Sequence, residues 1–422
     1  MEGENIRCIV DNFLCTGCGA CILGCPQGAI SIIEDSGGFL RAKIDKALCI
    51  NCAKCLDICP QFSFPQFNSL DDYLIGNYLA SYIGHANSKN VREIGQSGGI
   101  ATALLLYLLD SKKIDNVIVN RFNAETLSAE VKVSSTYEDV LNCAGSLYVQ
   151  SSVLSQIDPS KKSAIVTLGC QSQGLSGLKR RKLYEPEYII GLICAGNYSR
   201  QYIKAIIGDK YPNSNIESFR FRDKKFHGWP GDIGIYLKNG KIIDMNPKVR
   251  HKLKKVYECY HCLFCFDQMN IMSDLVIGDP WGIQLDRNDK MLGESIIVVR
   301  TKKGNELIEE AISKGYINVM PLQGDLIFSG QTVQTRHKKK VLSAKAWADK
   351  NNLAYPKALE NKCFNSQNYF PDKDIAMRLK FSHKIVSISE GNHISWFRKL
   401  YLLKLQLIYI KNLGRALIRK IT

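Results

Sequence analysis

The sequence predicts a three-part chain: a small cysteine-rich α+β module, an α/β body on a mixed sheet, and a basic helical tail. Three observations predict it. Nine of the 16 cysteines fall before residue 60, in a tandem repeat. From Tyr78 onward, short apolar strand-like runs alternate with helical ones, the pattern of α/β architecture. The stretch 336–422 carries 19 basic and five acidic residues, a net +14 of the chain's +16.

Composition bounds the function. The chain has 422 residues, a length that suits two or three domains. Hydrophobic residues are 45% and charged residues 23%, which excludes disorder or a collagen-like repeat for the bulk. No run approaches the ~18 uninterrupted apolar residues of a membrane-spanning helix. The acidic start lacks a following apolar stretch, so no secretory signal is expected. A cytoplasmic, reducing setting is therefore expected, where disulfides are rare and clustered thiols bind metal. The whole-chain charge would suggest nucleic acid, but its distribution restricts that reading to the tail.

The expected domains are 1–65, then 77–155 and 156–322 as two regions of the body, and 331–422 as the tail, with 66–76 a linker. Strands are expected over 78–83, 117–119, 129–133, 164–168, 189–194 and 295–299, and helices over 100–109 and near 305–313. Lys238-Asn239-Gly240-Lys241 reads as a type I′ hairpin turn, which would make the sheet mixed.

The module carries the strongest motif. Cys15-x2-Cys18-x2-Cys21-x3-Cys25-Pro26 recurs 34 residues later as Cys49-x2-Cys52-x2-Cys55-x3-Cys59-Pro60. A four-iron cubane needs four converging thiolates. Three closely spaced cysteines wrap one side, and the fourth comes from the other repeat, the bacterial two-cluster ferredoxin pattern. Cluster one then takes Cys15, Cys18, Cys21 and Cys59; cluster two takes Cys49, Cys52, Cys55 and Cys25. Zinc is the alternative, but zinc motifs usually pair two Cys-x2-Cys units. An α+β ferredoxin-like domain with two 4Fe–4S clusters is expected, with Gly17 and Gly19 letting amides approach the sulfurs.

Three constellations stand out in the body. Gln96-Ser97-Gly98-Gly99 precedes an apolar helix, whose unpaired amides and positive dipole end suit a phosphate. Ser97 or Thr102 would add side-chain hydrogen bonds; an ordinary capped helix is the alternative. No G-x-G-x-x-G follows a strand, so a Rossmann site is not expected. Cys170 and Cys194 end predicted strands, and Cys259-x2-Cys262 supplies a two-thiol arm. Together they predict a third 4Fe–4S cluster, against a zinc site involving His261 or scattered buried cysteines. Cys265 is a further thiol that could replace one of the four. Arg222 and Lys224 beside Phe221 and Trp229 combine cations with aromatic surface, which suits a flavin and its phosphates; a solvated charge run is the alternative.

Further signatures occur in a fixed order with these: Tyr148-Val149-Gln150-Ser151-Ser152, Thr167-Leu168-Gly169-Cys170-Gln171, Leu192-Ile193-Cys194 and Ile277-Gly278-Asp279-Pro280-Trp281-Gly282. The region from about 77 to 320 thereby resembles the beta subunit of coenzyme F420-reducing hydrogenase and related dehydrogenase subunits. The resemblance implies a mixed-sheet flavoprotein domain holding FAD, with Ser97, Gly98, Gly99, Thr102, Gln150, Ser151, Arg222 and Lys224 as candidate contacts. It implies electron exchange with a deazaflavin or another two-electron partner. Two departures stand against it. Cys194-Ala195-Gly196 replaces a frequent Cys-His-Gly, and Leu168-Gly169-Cys170 replaces a frequent Thr-Pro-Cys.

The expected function is an iron–sulfur flavoprotein oxidoreductase. It passes electrons between a one-electron carrier, the clusters and a flavin that exchanges hydride with a small-molecule two-electron substrate such as coenzyme F420. The alternative is a non-catalytic electron-transfer subunit docked on a redox partner protein: a ferredoxin, or a hydrogenase or dehydrogenase subunit. In the tail, a helix over 396–422 would put Leu403, Leu407, Ile410, Leu417 and Ile421 on one face and Lys404, Lys411, Arg415 and Arg419 on another. Such a helix suits peripheral contact with the anionic inner face of a membrane, or packing on the body or a partner. Nucleic acid is not expected, because no binding motif accompanies the charge.

Overall fold

The computed structural model describes residues 4–208, 211–285, 291–367, 369–387, 398 and 400–403. The N-terminal module holds one hairpin, β1 (Ile30–Glu34) with β2 (Leu40–Ile44), and the short helices Ala20–Leu23 and Lys54–Ile58. The body strands follow: β3 (Ala80–Ala86), β4 (Asn116–Asn123), β5 (Ser128–Ser134), β6 (Ser163–Thr167), β7 (Tyr188–Leu192), β8 (Ile216–Asp223), β9 (Asp232–Leu237), β10 (Ile242–Met245), β11 (Leu275–Gly278), β12 (Ser295–Val299) and β13 (Ile317–Pro321).

Eight of these form one sheet in the order β13-β3-β12-β11-β7-β6-β4-β5. The central strands β4, β6, β7 and β11 run parallel, and the flanking pairs are antiparallel. Strands covered on both faces need no polar alternation. β12 accordingly reads Ser-Ile-Ile-Val-Val and is buried throughout. The helix Ile100–Asp110 is apolar on every side because it lies between the sheet and other helices, including Lys302–Ser313.

The predicted elements fall where expected, with three corrections. The hairpin at Lys238–Lys241 forms, but in a separate three-stranded sheet of β8, β9 and β10. It does not make the main sheet mixed. Nor is its turn type I′: Gly240 alone in the turn has positive φ, Gly240 N–H donates to Leu237 O, and Leu237 N–H donates to Lys241 O. That is the three-residue loop with a glycine bulge. The expected linker contains a helix, Leu70–Leu74, whose Tyr73 and Leu74 are buried.

The third correction concerns the tail, which is no appendage over its described part. Val333–Arg336, a π-helical turn His337–Leu342 and Ser343–Lys350 form one continuous helical run. With Lys373–Ser387, this arm packs across both module and body. Val341, Ala344, Phe364 and Leu379 share one core with Leu14 and Leu56 of the module and Val276 and Ile296 of the sheet. Most of its lysines, such as Lys338 and Lys339, face outward, so charge counting concealed the apolar inner face and the few cations, such as Lys340, that turn inward with it. The amphipathic face expected for 396–422 lies almost entirely outside the described residues. No helix among the described residues is long and apolar enough to cross a membrane.

Candidate functional site

The helix Gly169–Arg180 leaves the carboxyl end of β6 and carries the module on its side. Its glycines make that contact possible. A β-carbon on Gly177 would lie 2.4 Å from Ile58 O, and one on Gly174 would lie 3.1 Å from the Ala20 β-carbon and 3.5 Å from Cys18 Sγ. The interface is pinned by hydrogen bonds. Gln150 Nε2 donates to Thr16 O at 3.1 Å while its Oε1 accepts from Leu40 N–H at 3.0 Å. Ser199 Oγ donates to Gly37 O at 2.7 Å. Gln150, expected at the flavin, is therefore a staple between module and body: it is buried, and its side chain is engaged by the module.

Within the module, Cys25, Cys49, Cys52 and Cys55 line one pocket, the set expected for cluster two. Burial, then Cys18, Cys15, Cys59 and Cys55, push Cys21 well above the ordinary thiol range. Backbone amides reach three sulfurs: Ile6 N–H to Cys55 at 3.2 Å, Ala29 N–H to Cys25 at 3.3 Å and Ala42 N–H to Cys15 at 3.4 Å. A zinc ion with ~2.3 Å bonds would hold thiolates ~3.8 Å apart. Among the described residues, no three of the eight repeat cysteines approach within 4.8 Å of one another. That spacing suits a larger core.

Beyond the helix lies a second chamber of about 30 Å³. Cys170, Cys194, Cys262 and Cys265 line it, with Pro60, which follows Cys59, on the module side. Burial, then neighbouring thiols, raise Cys170 strongly and push Cys194 up to about 12. Buried thiols that repel one another as thiolates fit a positively charged core that would hold all four deprotonated. The sequence pointed to Cys259 with Cys262 as the arm; the structure puts Cys265 on the chamber wall. The 3₁₀ turn Tyr260–Phe264 sends Cys259 behind Cys262, against Phe39. Cys259, His261 and Cys262 lie within 4.8 Å of one another, a spacing that suits a single ion.

Cys194 also faces a larger cavity of about 420 Å³, within the size range of small-molecule sites. It opens at the carboxyl ends of β4, β6, β7 and β11, where open α/β sheets bind ligands. Ser97, Gly99 and Thr102 at the start of helix Ile100–Asp110 line it, as do Ser151 and Arg222. Gly98 does not. Its β-carbon would lie 2.6 Å from Gly84 O and 2.8 Å from Ser295 N, so its missing side chain serves strand packing. The Ser97 hydroxyl donates to Glu294 O. Lys224 is turned away, its ammonium donating to the carbonyls of Arg92, Ser97 and Leu292. Arg222 grips Asp279 through both terminal nitrogens, at 2.5 and 2.8 Å, and donates to Pro230 O at 2.6 Å. It builds the wall with Trp281, three of its five N–H donors being held by Asp279 and Pro230.

Three further cavity residues were not singled out in the sequence. Arg250, His251 and Lys254 line it from helix Lys248–Tyr257, and burial, then Lys254 and Arg250, lower His251 and so favour its neutral form. Arg250 donates to Phe221 O at 3.1 Å, while its buried Nε has no hydrogen-bond partner among the described residues. Burial, then Arg378 and other cations, lower Lys254. The one signal in the sequence was the basic run Lys248-Val249-Arg250-His251-Lys252-Leu253-Lys254-Lys255.

Residues 81–158 match the family model for the N-terminal part of the coenzyme F420 hydrogenase/dehydrogenase beta subunit, and residues 160–325 match the model for its C-terminal part. The chain belongs to the coenzyme F420 hydrogenase/dehydrogenase beta-subunit family. Residues 14–62 match a 4Fe–4S dicluster domain. Among similar proteins is the coenzyme F420 hydrogenase subunit beta of Methanosarcina barkeri, 24% identical over 60% of this chain and 86% of that one. The coenzyme F420-dependent sulfite reductase of Methanocaldococcus jannaschii is 28% identical over 75% of this chain and 48% of that one. A chain of the F420-reducing NiFe hydrogenase complex from M. barkeri shares the fold, with TM-score 0.52 and 22% identity over 67% of this chain and 95% of that chain. In this family member, the arm at 331–387 lies beyond the matched residues.

Proposed function

We propose that the chain is an iron–sulfur flavoprotein that relays single electrons inward from the ferredoxin module and exchanges them in pairs at the large cavity. One observation carries the reading. Cys194 borders both the four-thiol chamber and the cavity, and the residue after Cys59 closes the chamber's far side. The order is thus cluster two, cluster one, a body cluster on Cys170, Cys194, Cys262 and Cys265, then the cavity. A bound flavin supplies the conversion between hydride and single electrons, which clusters alone do not perform. The chain's own residues do the rest. Helix amides after Gly99, with Thr102, face an anionic group. Trp281, tilted against Trp229 with ring centroids 4.9 Å apart, offers ring surface. Arg250 and Lys254 favour an anionic occupant, in keeping with a two-electron substrate such as coenzyme F420.

The M. barkeri relative is by name one subunit of a hydrogenase. That favours a second reading, in which the chain passes electrons to a partner enzyme without binding substrate itself. Anaerobic mixing of the isolated protein with reduced coenzyme F420 separates the two. Bleaching of a bound flavin's absorbance supports the first reading; a flavin that stays oxidised supports the second. Replacing Cys194 with Ser should stop flavin reduction by a one-electron donor. Undiminished reduction would remove the relay.

A further inference from the structure

The arm that lies beyond the family match brings two cations to the body chamber. Arg336, at the start of the π-helical turn, lines the chamber beside Cys170, Cys194, Cys262 and Cys265. Only one of its donors is engaged, with NH1 donating to Cys265 O at 2.9 Å. Its Nε and NH2 are buried and have no hydrogen-bond partner among the described residues. Buried guanidinium donors without acceptors are rare and need an explanation. One turn on, buried Lys340 donates to Ala195 O, beside Cys194, at 3.3 Å and to Glu258, beside Cys259, at 2.9 Å. Arg378 closes on the same Glu258 carboxylate. Lys340, Glu258 and Arg378 together leave one positive charge and Arg336 adds another, with buried Asp267, held by Gln173 and the Ile271 amide, the carboxylate on the same wall.

We infer that Arg336 and Lys340 of the arm set the reduction potential of the body cluster, making it the electron sink for the ferredoxin clusters. This rests on the body cluster of the proposed function. A four-iron core on four thiolates is anionic, and reduction adds one more negative charge. Nearby buried cations favour the reduced form more than the oxidised one, so they raise the potential. The step moves one electron from a ferredoxin cluster to the body cluster, which is reduced as the donor is oxidised. No bond to either side chain forms or breaks. The arm thus acts on the direction of electron flow through its charge, without ligating the cluster.

The test is an EPR-monitored redox titration of the anaerobically reconstituted full chain, with iron counted per chain. Arg336→Gln should lower the body-cluster equilibrium constant for reduction about tenfold, about 59 mV for one electron, and leave both ferredoxin clusters unmoved. Lys340→Met should act in the same direction, and Arg336→Lys should stay near the wild-type value. A body-cluster potential unchanged in Arg336→Gln and Lys340→Met, with full iron, overturns the inference. So does equal loss of the body cluster's iron in Arg336→Gln and Arg336→Lys, which would make Arg336 a structural latch. If the wild type itself shows only the two ferredoxin signals, the failure belongs to the body cluster and not to the role of the arm.

Discussion

The two halves of the ferredoxin repeat share a backbone and differ in setting. Gly17 and Gly19 of the first half have φ of 69° and 92°. Their counterparts 34 residues on, Asn51 and Ala53, have φ of 53° and 59°. The left-handed bend is thus required in both halves, but only the first half needs glycine for space. A β-carbon on Gly19 would lie 2.6 Å from Ser155 N of the body, whereas Ala53 is half-buried. The candidate ligands follow suit. Cys15, Cys18, Cys21 and Cys59 are buried, while Cys52 is exposed, with Ile50 beside it 62% exposed. One set is enclosed by the body and the other looks outward. In the proposed relay, cluster two would meet an external one-electron carrier and cluster one would pass electrons inward.

The largest expected effect comes from breaking either set. Cys18→Ser and Cys52→Ser should each lower iron by about four per chain. They differ in consequence. The first should interrupt delivery to the body from any external donor; the second should chiefly impair donors too large to reach cluster one. Equal flavin reduction rates in both variants, with a small donor such as dithionite, would erase the distinction.

A sharper contrast lies in the backbone. Gly19→Ala adds a clash to left-handed strain and should cost about 1–3 kcal/mol. Ala53→Gly relieves left-handed strain worth ~1–2 kcal/mol and gives back ~0.5–1 in chain entropy, so it should stabilise slightly. Thermal unfolding of the reconstituted protein measures both. Loss of stability in Ala53→Gly comparable to that in Gly19→Ala would show that the two halves are equally embedded.

Much of this contrast was legible in the sequence, and some was hidden for physical reasons. The thiol spacing pointed to an iron–sulfur module because three ligands of each set lie within seven residues, and residues 14–62 match a 4Fe–4S dicluster domain. The strands of the body were readable because both-face burial leaves continuous apolar runs such as Ile296–Val299. Gln150 was misplaced because a signature places a residue near a site without saying which way it faces. Lys224 failed similarly: a cation suits phosphate, and only tertiary structure reveals three carbonyls around it. The arm was read from its net charge, which hides the apolar face that Val341, Ala344 and Leu379 present to the core.

The arm covers the body side and leaves the pocket of Cys25, Cys49, Cys52 and Cys55 to the module, which gives a further prediction, confined to acid pH. His337 is 3% exposed against Phe364, and burial, then Arg336, lower it to about 4. Its folded value lies below the ordinary 6.5, so the unfolded chain binds more protons between pH 6.5 and 4. Its contribution is therefore present above pH 6.5 and lost as pH falls toward 4, at about 1.4 kcal/mol per unit of separation. His337→Phe should flatten the acid limb of a stability–pH profile. An unchanged acid limb would show that the arm does not depend on a neutral His337.

The proposed relay, three clusters ending at a flavin, would fix the cofactor content of the chain. Iron and flavin counted per chain after anaerobic reconstitution measure that content. The relay predicts about twelve iron atoms, four for each of three cubanes, and one flavin. Eight iron atoms, or no flavin, would leave a ferredoxin module docked on a body that cannot receive its electrons, and would contradict the relay.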